Sequence, residues 1–413
     1  MSELEDLGLL RKTRLVSGPQ GPRVVLDGKP TLVLCSSNYL GLADHPRVRQ
    51  AAAEAAMRWG AGATSARLAS GTMTIHRRLE ERLAAFLNRE SALLFGSGYL
   101  AGVGVVAALA RPGDVVFADA QCSASLVDGC RLSGAELFSY DHLDAEHLRW
   151  GIARVEGRGA LIATDSVFSI DGELAPLREI VELARRRRLR VVVDEGHAIG
   201  TIGPGGVGAV ADAGLEDEVE VVIGTLGGAL GSYGGFAACR GDVADYLLNA
   251  SRTVRFSAAP APPAAAAALA ALALLEERPQ MVTKLNANAA VLRGELERRG
   301  FHLGYARAAV LSLLVGDPAT TVEVAERALA HGVLTEPIFP PVVPALESQL
   351  RLTVMASHRR EELLQAAEVV DDAYKAVGID PSSVVELEPE FEPELEQPPT
   401  RFFDFEAVQR LAA

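Results

Sequence analysis

Lysine is nearly missing from this chain. Of the 413 residues only Lys12, Lys29, Lys284 and Lys375 are lysines, so the segment from residue 30 to residue 283 contains none. Almost all of the 40 basic side chains are therefore arginines. A guanidinium group does not release its proton in proteins, so arginine cannot act as an amine nucleophile. The sequence thus excludes lysine chemistry from most of the chain.

Cysteine and positive charge are also in short supply. The four cysteines, Cys35, Cys122, Cys130 and Cys239, form no Cys-x-x-Cys pair, which predicts reduced thiols in a cytoplasmic protein. Acidic residues number 54 against 40 basic ones, which gives a formal net charge of −14. This balance excludes a protein that binds nucleic acid or an anionic membrane surface through charge alone.

No apolar run is long enough to cross a bilayer. The longest, Ala264–Leu275, falls short of the roughly 20 residues that a membrane-spanning helix needs, and its alanine content favours a buried helix. Residues 1–14 contain no apolar segment of the kind found in signal peptides. Aromatic residues make up only 5% of the chain, so the core must consist mainly of Ala, Val and Leu. We therefore expect a cytoplasmic protein without a membrane span.

Short apolar strands alternate with helices through the middle of the chain. The predicted strands cover residues 92–95, 115–118, 137–140, 161–164, 189–194 and 219–226, and helices are predicted at 77–87 and 177–188. This alternation predicts an α/β fold with βαβ units and a mostly parallel sheet that helices cover on both faces. Ligands of such sheets bind at the carboxyl ends of the strands.

Four segments follow from composition and pattern. Residues 1–45 are predicted to form an arm with a small strand pair, 46–256 a large domain, 257–380 a smaller α/β domain and 381–413 an acidic tail. Glutamate occupies every even position from 386 to 396, which suits an extended or disordered linker. Phe402, Phe405, Val408 and Leu411 then recur every three residues, as in a terminal amphipathic helix.

Three motifs carry candidate chemistry. Asp194 ends an apolar strand and His197 follows it, so both face the ligand crevice, unless Asp194 caps a helix and His197 merely packs. The segment Phe95–Gly102 joins a strand to a helix through glycines, and such a turn can hold a phosphate, although the pattern alone is weak. Arg351 lies in an apolar strand and needs an anionic partner, either a structural carboxylate or that of a substrate.

Taken together, these motifs resemble the α-oxoamine synthase family. The resemblance runs from about Leu9 to Val377 and rests on eight segments in the order of the family. The segments are SSNYLGL (Ser36–Leu42), GAGATSARLASGTMTIHRRLE (Gly60–Glu80), SGYLAG (Ser97–Gly102), Asp119–Gly129, SVFSIDGELAPL (Ser166–Leu177), VDEGHAIG (Val193–Gly200), GTLGGALGSYGG (Gly224–Gly235) and RLTVMASH (Arg351–His358). The family consists of pyridoxal-phosphate enzymes with a two-lobed aspartate-aminotransferase-like fold, and it includes 8-amino-7-oxononanoate synthase and serine palmitoyltransferase.

The resemblance implies roles for matching residues in the large, cofactor-type domain. Gly98 and Tyr99 would give backbone N–H groups to the cofactor phosphate, and Thr225 would add its hydroxyl. Asp194 would pair with the pyridinium nitrogen, which lets the ring act as an electron sink. His197 would donate to the phenolic oxygen of the ring.

Three further residues are implied around the substrate. Ser169 would lie near the cofactor ring. Arg351 would bind the carboxylate of an amino acid through two hydrogen bonds, with Asn38 close to it. The second substrate implied by the resemblance is an acyl thioester of coenzyme A or of an acyl carrier protein.

This sequence departs from the family at three positions of the same site. Gly228 stands where the family has the lysine that forms a Schiff base with the cofactor. Ser123 stands where the family has a histidine that stacks on the cofactor ring, and Gly102 replaces an asparagine. Because Lys284 lies beyond the alanine-rich helix and is expected to be solvated, no other lysine replaces the missing one. Pyridoxal 5'-phosphate, if bound, is therefore expected to bind without a covalent link.

Three hypotheses remain open at this point. The first is an atypical acyltransferase, which the retained Asp194, His197, Thr225 and Arg351 favour. It would work with a non-covalent cofactor or imine, or by altered acyl chemistry without a cofactor. The second is an inactive subunit that pairs with a lysine-bearing homologue, which the departures at Gly228, Ser123 and Gly102 favour. The third is an engineered lysine replacement, against which Ser123 and Gly102 argue. The family builds its sites at a dimer interface, so we expect a homodimer, or a heterodimer under the second hypothesis.

Overall fold

The computed structural model describes residues 11, 13–155, 157–304 and 307–384. The predicted acidic linker and terminal helix at 385–413 lie outside the described residues. The chain divides into two compact units, which do not follow the order of the sequence. One unit contains Ser37–Ser169 and Glu173–Leu285, and the other contains the residues up to Ser36, Ile170–Gly172 and those from Asn286 onward. The domain boundaries at residues 45, 256 and 380 stay predictions.

The strands and helices alternate along most of the described chain. The strands are β1 (Val16–Ser17), β2 (Arg23–Leu26), β3 (Lys29–Val33), β4 (Ser91–Phe95), β5 (Val115–Asp119), β6 (Glu136–Tyr140), β7 (Ala160–Asp165), β8 (Arg190–Asp194), β9 (Val221–Thr225), β10 (Gly235–Cys239), β11 (Val310–Gly316), β12 (Val333–Leu334), β13 (Glu336–Ile338) and β14 (Ser348–Thr353). The helices are α1 (Pro46–Trp59), α2 (Thr74–Phe86), α3 (Gly98–Leu109), α4 (Ala124–Ser133), α5 (Ala145–Ile152), α6 (Leu177–Arg187), α7 (Ala209–Asp212), α8 (Gly241–Ala250), α9 (Arg252–Arg255), α10 (Pro262–Glu277), α11 (Gln280–Arg298), α12 (Pro318–Ala330) and α13 (Arg360–Ala376).

A seven-stranded sheet forms the centre of the first unit. Its order is β4-β10-β9-β8-β7-β5-β6, and only β10 runs against the other strands. The mostly parallel α/β fold predicted from the sequence is therefore confirmed. All six predicted strands agree with the structure within two residues at each end. Strands such as β5 and β9 are buried almost throughout, which explains why each reads as a continuous apolar run.

The strand register brings the ends of several strands to one edge of this sheet. Asp165 at the end of β7 lies opposite Asp194 at the end of β8. Gly235 at the start of β10 lies opposite both Thr225 and Phe95, the last residues of β9 and β4. This edge is where a parallel sheet is expected to bind its ligand.

The second unit contains two smaller sheets. Their strand orders are β1-β2-β3-β12 and β11-β14-β13. Apolar residues of α11, α12 and α13 share a core with the strands, and Leu350 and Leu352 of β14 are fully buried in it. In the part of the chain that the structure describes, no helix has both the length and the hydropathy needed to cross a membrane.

Candidate functional site

The amino end of α3 lies directly after strand β4. The Ser97 side chain caps this helix by accepting a hydrogen bond from the Leu100 N–H at 3.1 Å. The first N–H groups of a helix, here including those of Gly98 and Tyr99, have no acceptor within the helix, and they create a site for an anion. A Cβ atom on Gly98 would lie 3.0 Å from Thr225 Cβ, so glycine allows α3 and the end of β9 to approach closely.

Tyr99 and Thr225 differ in how their side chains are used. The Tyr99 side chain is half exposed, and its hydroxyl donates to Asp128 Oδ2 at 2.7 Å, which raises the pKa of the phenol. Because this hydroxyl is engaged with Asp128, the predicted contact of Tyr99 with a phosphate would depend on its backbone N–H. The Thr225 hydroxyl accepts from the Gly227 N–H at 3.1 Å and donates to the Gly234 carbonyl at 3.3 Å. These bonds hold the hydroxyl at the start of the glycine-rich loop that follows β9.

Asp194 and His197 occupy the middle of the edge. Asp194 Oδ1 accepts a hydrogen bond from the Gly196 N–H at 2.8 Å, and burial raises the pKa of the carboxyl from 3.8 to about 6. The His197 Nδ1 atom is 2.7 Å from the hydroxyl of Tyr39, a fully buried side chain. Tyr39 fixes the orientation of the imidazole ring, a role that sequence analysis missed because the two residues are 158 positions apart.

Ser123 and Asp165 form a second polar pair at the same edge. The Ser123 N–H donates to Asp165 Oδ2 at 2.6 Å, and the Ser123 hydroxyl donates to the other carboxylate oxygen. Burial and the neighbouring Asp194 raise the pKa of Asp165 well above its usual range. Sequence analysis did not single out Asp165. Its signal was available, because Asp165 ends a parallel strand as Asp194 does.

Gly102 has a steric explanation. A Cβ atom at this position of α3 would lie 2.4 Å from Ser125 Oγ and 2.7 Å from Ser125 Cβ, both in α4. The two helices therefore pack too closely here for any larger residue. Gly102 is an adaptation of helix packing, whatever its effect on chemistry.

Gly228 has no such explanation. Its backbone lies outside the left-handed region, and the three atoms nearest to a Cβ would be the Gly196 carbonyl oxygen and Thr225 Cγ2 at 3.4 Å and the Ser37 carbonyl oxygen at 3.8 Å. These are ordinary or nearly ordinary contacts. By contrast, Gly231 in the same loop has a φ of +58°, and a Cβ there would lie 2.4 Å from the Ala43 nitrogen. The fold therefore requires glycine at 231, whereas a Cβ atom is tolerated at 228.

The described lysines are all exposed. Lys29 and Lys375 belong to the second unit, and Lys284 lies on α11 with its side chain in solvent, as the sequence predicts. Among the described residues of the first unit, Lys284 is therefore the only lysine.

The remaining predicted residues are Asn38, Ser169 and Arg351. Asn38 is buried, and its side-chain oxygen accepts from the Ala43 N–H at 3.2 Å. Ser169 is half buried in the turn after β7. Arg351 belongs to the second unit, on strand β14, and donates through Nη1 to Glu336 Oε2 at 2.8 Å.

The guanidinium of Arg351 is only partly used within its own unit. Its Nε and Nη2 atoms are buried and have no hydrogen-bond partner among the described residues. These two nitrogens form one edge of the guanidinium, which matches the two oxygens of a carboxylate. Both readings of this arginine therefore have support, since Glu336 is a structural partner and the second edge suits a ligand.

Comparisons with known proteins place the chain among relatives of similar length. It matches the family described as aminotransferase class I and II over residues 29–370. It is 42% identical to 8-amino-7-oxononanoate synthase of Citrifermentans bemidjiense, over 91% of this chain and 98% of that protein. The protein of the same name from Geobacter metallireducens is 43% identical over the same shares.

Solved structures share the fold. Serine palmitoyltransferase of Sphingomonas wittichii has a TM-score of 0.88 at 29% identity, over 92% of this chain and 97% of that one. A serine palmitoyltransferase of S. paucimobilis, with alanine in place of a lysine and with a bound PLP–myriocin aldimine, has a TM-score of 0.87 at 29% identity, over 91% and 96%. An 8-amino-7-oxononanoate synthase of Francisella tularensis, at 22% identity over 84% and 99%, has the same fold with a TM-score of 0.74.

Proposed function

The chain belongs to the aminotransferase class I and II family and within it to the α-oxoamine synthases, and from this membership we propose that it is an acyltransferase. It joins an amino acid, or another small nucleophile, to an acyl thioester of coenzyme A or of an acyl carrier protein. Pyridoxal 5'-phosphate takes part without a covalent bond to the protein. The main observation in support of this proposal is that Asp194, Thr225 and the amino end of α3 lie at the same edge of the sheet.

The residues at this edge fit the phosphate and the ring nitrogen of the cofactor. A phosphate could bind at the start of α3, where the first N–H groups of the helix can donate to it. Gly98 lies close to Thr225, so the Thr225 hydroxyl is near the same position. The carboxylate of Asp194 would pair with a protonated ring nitrogen, and this pairing would offset the burial that raises the pKa of the carboxyl. His197, held by Tyr39, stands three residues after Asp194 to bind the phenolic oxygen.

The same residues do not offer a covalent anchor. Gly228 occupies the place of the Schiff-base lysine, and the described lysines are exposed elsewhere. The serine palmitoyltransferase of S. paucimobilis supports non-covalent binding by analogy, because a variant with alanine in place of a lysine still holds pyridoxal phosphate, joined to myriocin. When bound, the cofactor supplies an electron sink for a carbanion.

The amino-acid substrate is proposed to bind through its carboxylate. The Nε and Nη2 edge of Arg351 has no partner among the described residues, and its geometry suits a bidentate ion pair. Glu336 holds the other side of the guanidinium and keeps that edge oriented.

A second candidate function is a non-catalytic subunit that pairs with a lysine-bearing homologue. The packing of Gly102 against Ser125 and the hydrogen bonds from Ser123 to Asp165 favour it, because both departures are built into the surrounding structure. A chain that had lost only its lysine would not need these adjustments.

Titration of the purified chain with pyridoxal phosphate, followed by absorbance, tests the proposal. We expect a saturable change on cofactor binding and a further change when the correct amino acid is added. An acyl thioester should then release its thiol. Saturable binding without any response to amino acids would favour the non-catalytic subunit, and a lack of cofactor binding would overturn the proposed function.

A further inference from the structure

Six exposed arginines lie at the amino edge of the seven-stranded sheet, the edge opposite to the one that carries Asp194 and Thr225. This arginine surface consists of Arg154, Arg158, Arg185, Arg187, Arg188 and Arg190. We propose that it binds an acidic segment of the same chain, residues 386–396, which lie outside the described residues. The inference concerns an interaction surface and does not depend on the proposed function.

The fold brings these arginines together from separate elements. Helices α5 and α6 lead into the neighbouring parallel strands β7 and β8, so the carboxyl ends of both helices lie at the amino edge of the sheet. Arg190 begins β8 opposite Leu161 of β7, and Arg158 comes just before β7. Both guanidiniums bind the segment that joins α3 to β5, because Arg158 Nε donates to the Gly113 carbonyl and Arg190 Nη2 to the Leu109 carbonyl, each at 3.0 Å.

Most of this positive charge is not neutralised within the part of the chain that the structure describes. Arg158 pairs with Glu136 Oε2 at 2.8 Å, but the other five arginines have no carboxylate partner among the described residues. The guanidinium of Arg154 lies over the ring of Trp150 instead, 3.2 Å from its centroid. Even if Glu156, which lies between Arg154 and Arg158 in the sequence, forms an ion pair as well, positive charge stays in excess.

The helix dipole accounts for only part of the arginine surface. Positive side chains stabilise the carboxyl end of a helix, and Arg185 and Arg187 belong to the last turn of α6. Arg154 and Arg190 lie outside that turn, the first after α5 and the second in β8. Because the excess charge extends over several elements, it is suited to an acidic partner that is longer than a single side chain.

The chain itself supplies such a partner. Glutamate occupies every even position from 386 to 396, and no lysine or arginine occurs between Lys375 and Arg401. The described chain ends at Val384, and the next twelve residues can span up to about 40 Å when extended, so they can reach beyond their own unit.

Two properties of the chain favour its own segment over a separate polyanion. A tethered segment has an effective concentration in the millimolar range, which compensates for the weakness of exposed ion pairs. The net charge of −14, in contrast, repels nucleic acids and anionic membranes at long range. The acidic segment is therefore the occupant that this surface fits best.

Limited digestion of the full chain with chymotrypsin tests the contact. Phe391 lies within the acidic segment and Phe402 lies beyond it, so the ratio of cleavage at the two sites, measured by mass spectrometry, reports protection of the segment. In low salt we expect the Arg185→Gln/Arg187→Gln/Arg188→Gln variant to raise this ratio about fivefold, because cleavage follows the fraction of unbound segment. High salt should remove the difference, since it screens exposed charges. Equal ratios in wild type and variant at low salt would overturn the inference.

Two further variants locate the contact. The control removes the same charge from exposed arginines of the first unit that also have no carboxylate partner among the described residues, Arg58→Gln/Arg78→Gln/Arg278→Gln, and it should keep the wild-type ratio. The second variant neutralises the segment itself, Glu386→Gln/Glu388→Gln/Glu394→Gln/Glu396→Gln, and it should raise the ratio as the arginine variant does. Combining the arginine and glutamate variants should give no further increase, because both remove the same contact. An equal rise in the control, or additive effects of the other two variants, would contradict the inference.

Sedimentation with vesicles tests the main alternative occupant. We expect the full chain to bind phosphatidylglycerol vesicles no better than phosphatidylcholine vesicles. Binding to phosphatidylglycerol that the arginine variant loses and the glutamate variant keeps would assign the arginine surface to a membrane and would overturn the inference.

Discussion

Replacement of Asp194 by asparagine should make the cofactor-free protein more stable at pH 8. In the wild type the Gly196 N–H donates to Asp194 Oδ1 at 2.8 Å. Asparagine keeps an oxygen that can accept this hydrogen bond but carries no charge. Burial raises the pKa of Asp194 from 3.8 to about 6, so the folded state disfavours the ionised carboxyl. At 1.36 kcal/mol per pH unit, this difference corresponds to about 3 kcal/mol, which is the upper limit of the expected gain.

The sign of the pH dependence follows from the raised pKa in the folded state. Between about pH 4 and pH 6 the native protein binds more protons than the unfolded chain, so wild-type stability falls as the pH rises through this window. Above about pH 6 this loss of wild-type stability is complete. The advantage of Asp194→Asn should therefore grow from near zero at pH 4 to its full value above pH 6. Asp165 contributes in the same direction, because loss of the Asp194 charge removes one cause of its raised pKa.

Urea unfolding midpoints of wild type, Asp194→Asn and the exposed control Asp372→Asn, from pH 4 to pH 8, measure this effect. Pyridoxal phosphate should reverse the order, since it stabilises the wild type through the pairing with Asp194 and stabilises the variant less. A variant that is less stable than wild type at pH 8 without cofactor would refute the reasoning. So would a difference that does not change with pH.

Three further predictions follow from the glycines and the family. Gly228→Lys, mixed with pyridoxal phosphate, should form a covalent link that absorbance reports and that borohydride reduces. Gly227→Lys, at the exposed neighbouring position, should form no such link. Equal signals from the two variants would contradict the placement of the site. Gly102→Asn should lower the unfolding midpoint by the equivalent of about 1–3 kcal/mol, because its Cβ would lie 2.4 Å from Ser125 Oγ. A second substitution, Ser125→Gly, should restore part of this loss. An unchanged midpoint in Gly102→Asn would refute the steric account. Light scattering of the full chain should give the mass of a dimer, since obligate interfaces commonly bury more than about 2,000 Å²; a stable monomer would instead favour the heterodimer hypothesis.

The sequence predicted the central sheet well because its signal is local. Strands such as β8 are runs of consecutive buried residues, and the carboxylate that ends β8 marks the ligand edge directly. Strand β10 was not predicted as a separate strand. It is only five residues long, it begins with glycine and contains two alanines, and it runs antiparallel between β4 and β9, so it lacks the pattern of a βαβ unit.

The contacts that shape the site were harder to predict because they join distant residues. The bond between Tyr39 and His197 and the pair formed by Ser123 and Asp165 depend on strand order, which one sequence does not reveal. The difference between Gly102 and Gly228 is of the same kind. The resemblance implies a larger residue in the family at both positions, and only the packing around the two glycines shows that the first is required and the second is not.

Mass spectrometry after borohydride reduction tests the central claim most directly. The purified chain is saturated with pyridoxal phosphate, binding is confirmed by absorbance, and the intact mass is measured after reduction and removal of free cofactor. We predict that the cofactor binds and that the mass of the chain does not change, because the segment from residue 30 to residue 283 contains no lysine. A mass increase of one pyridoxyl group on a lysine, or the absence of saturable binding, would contradict the account.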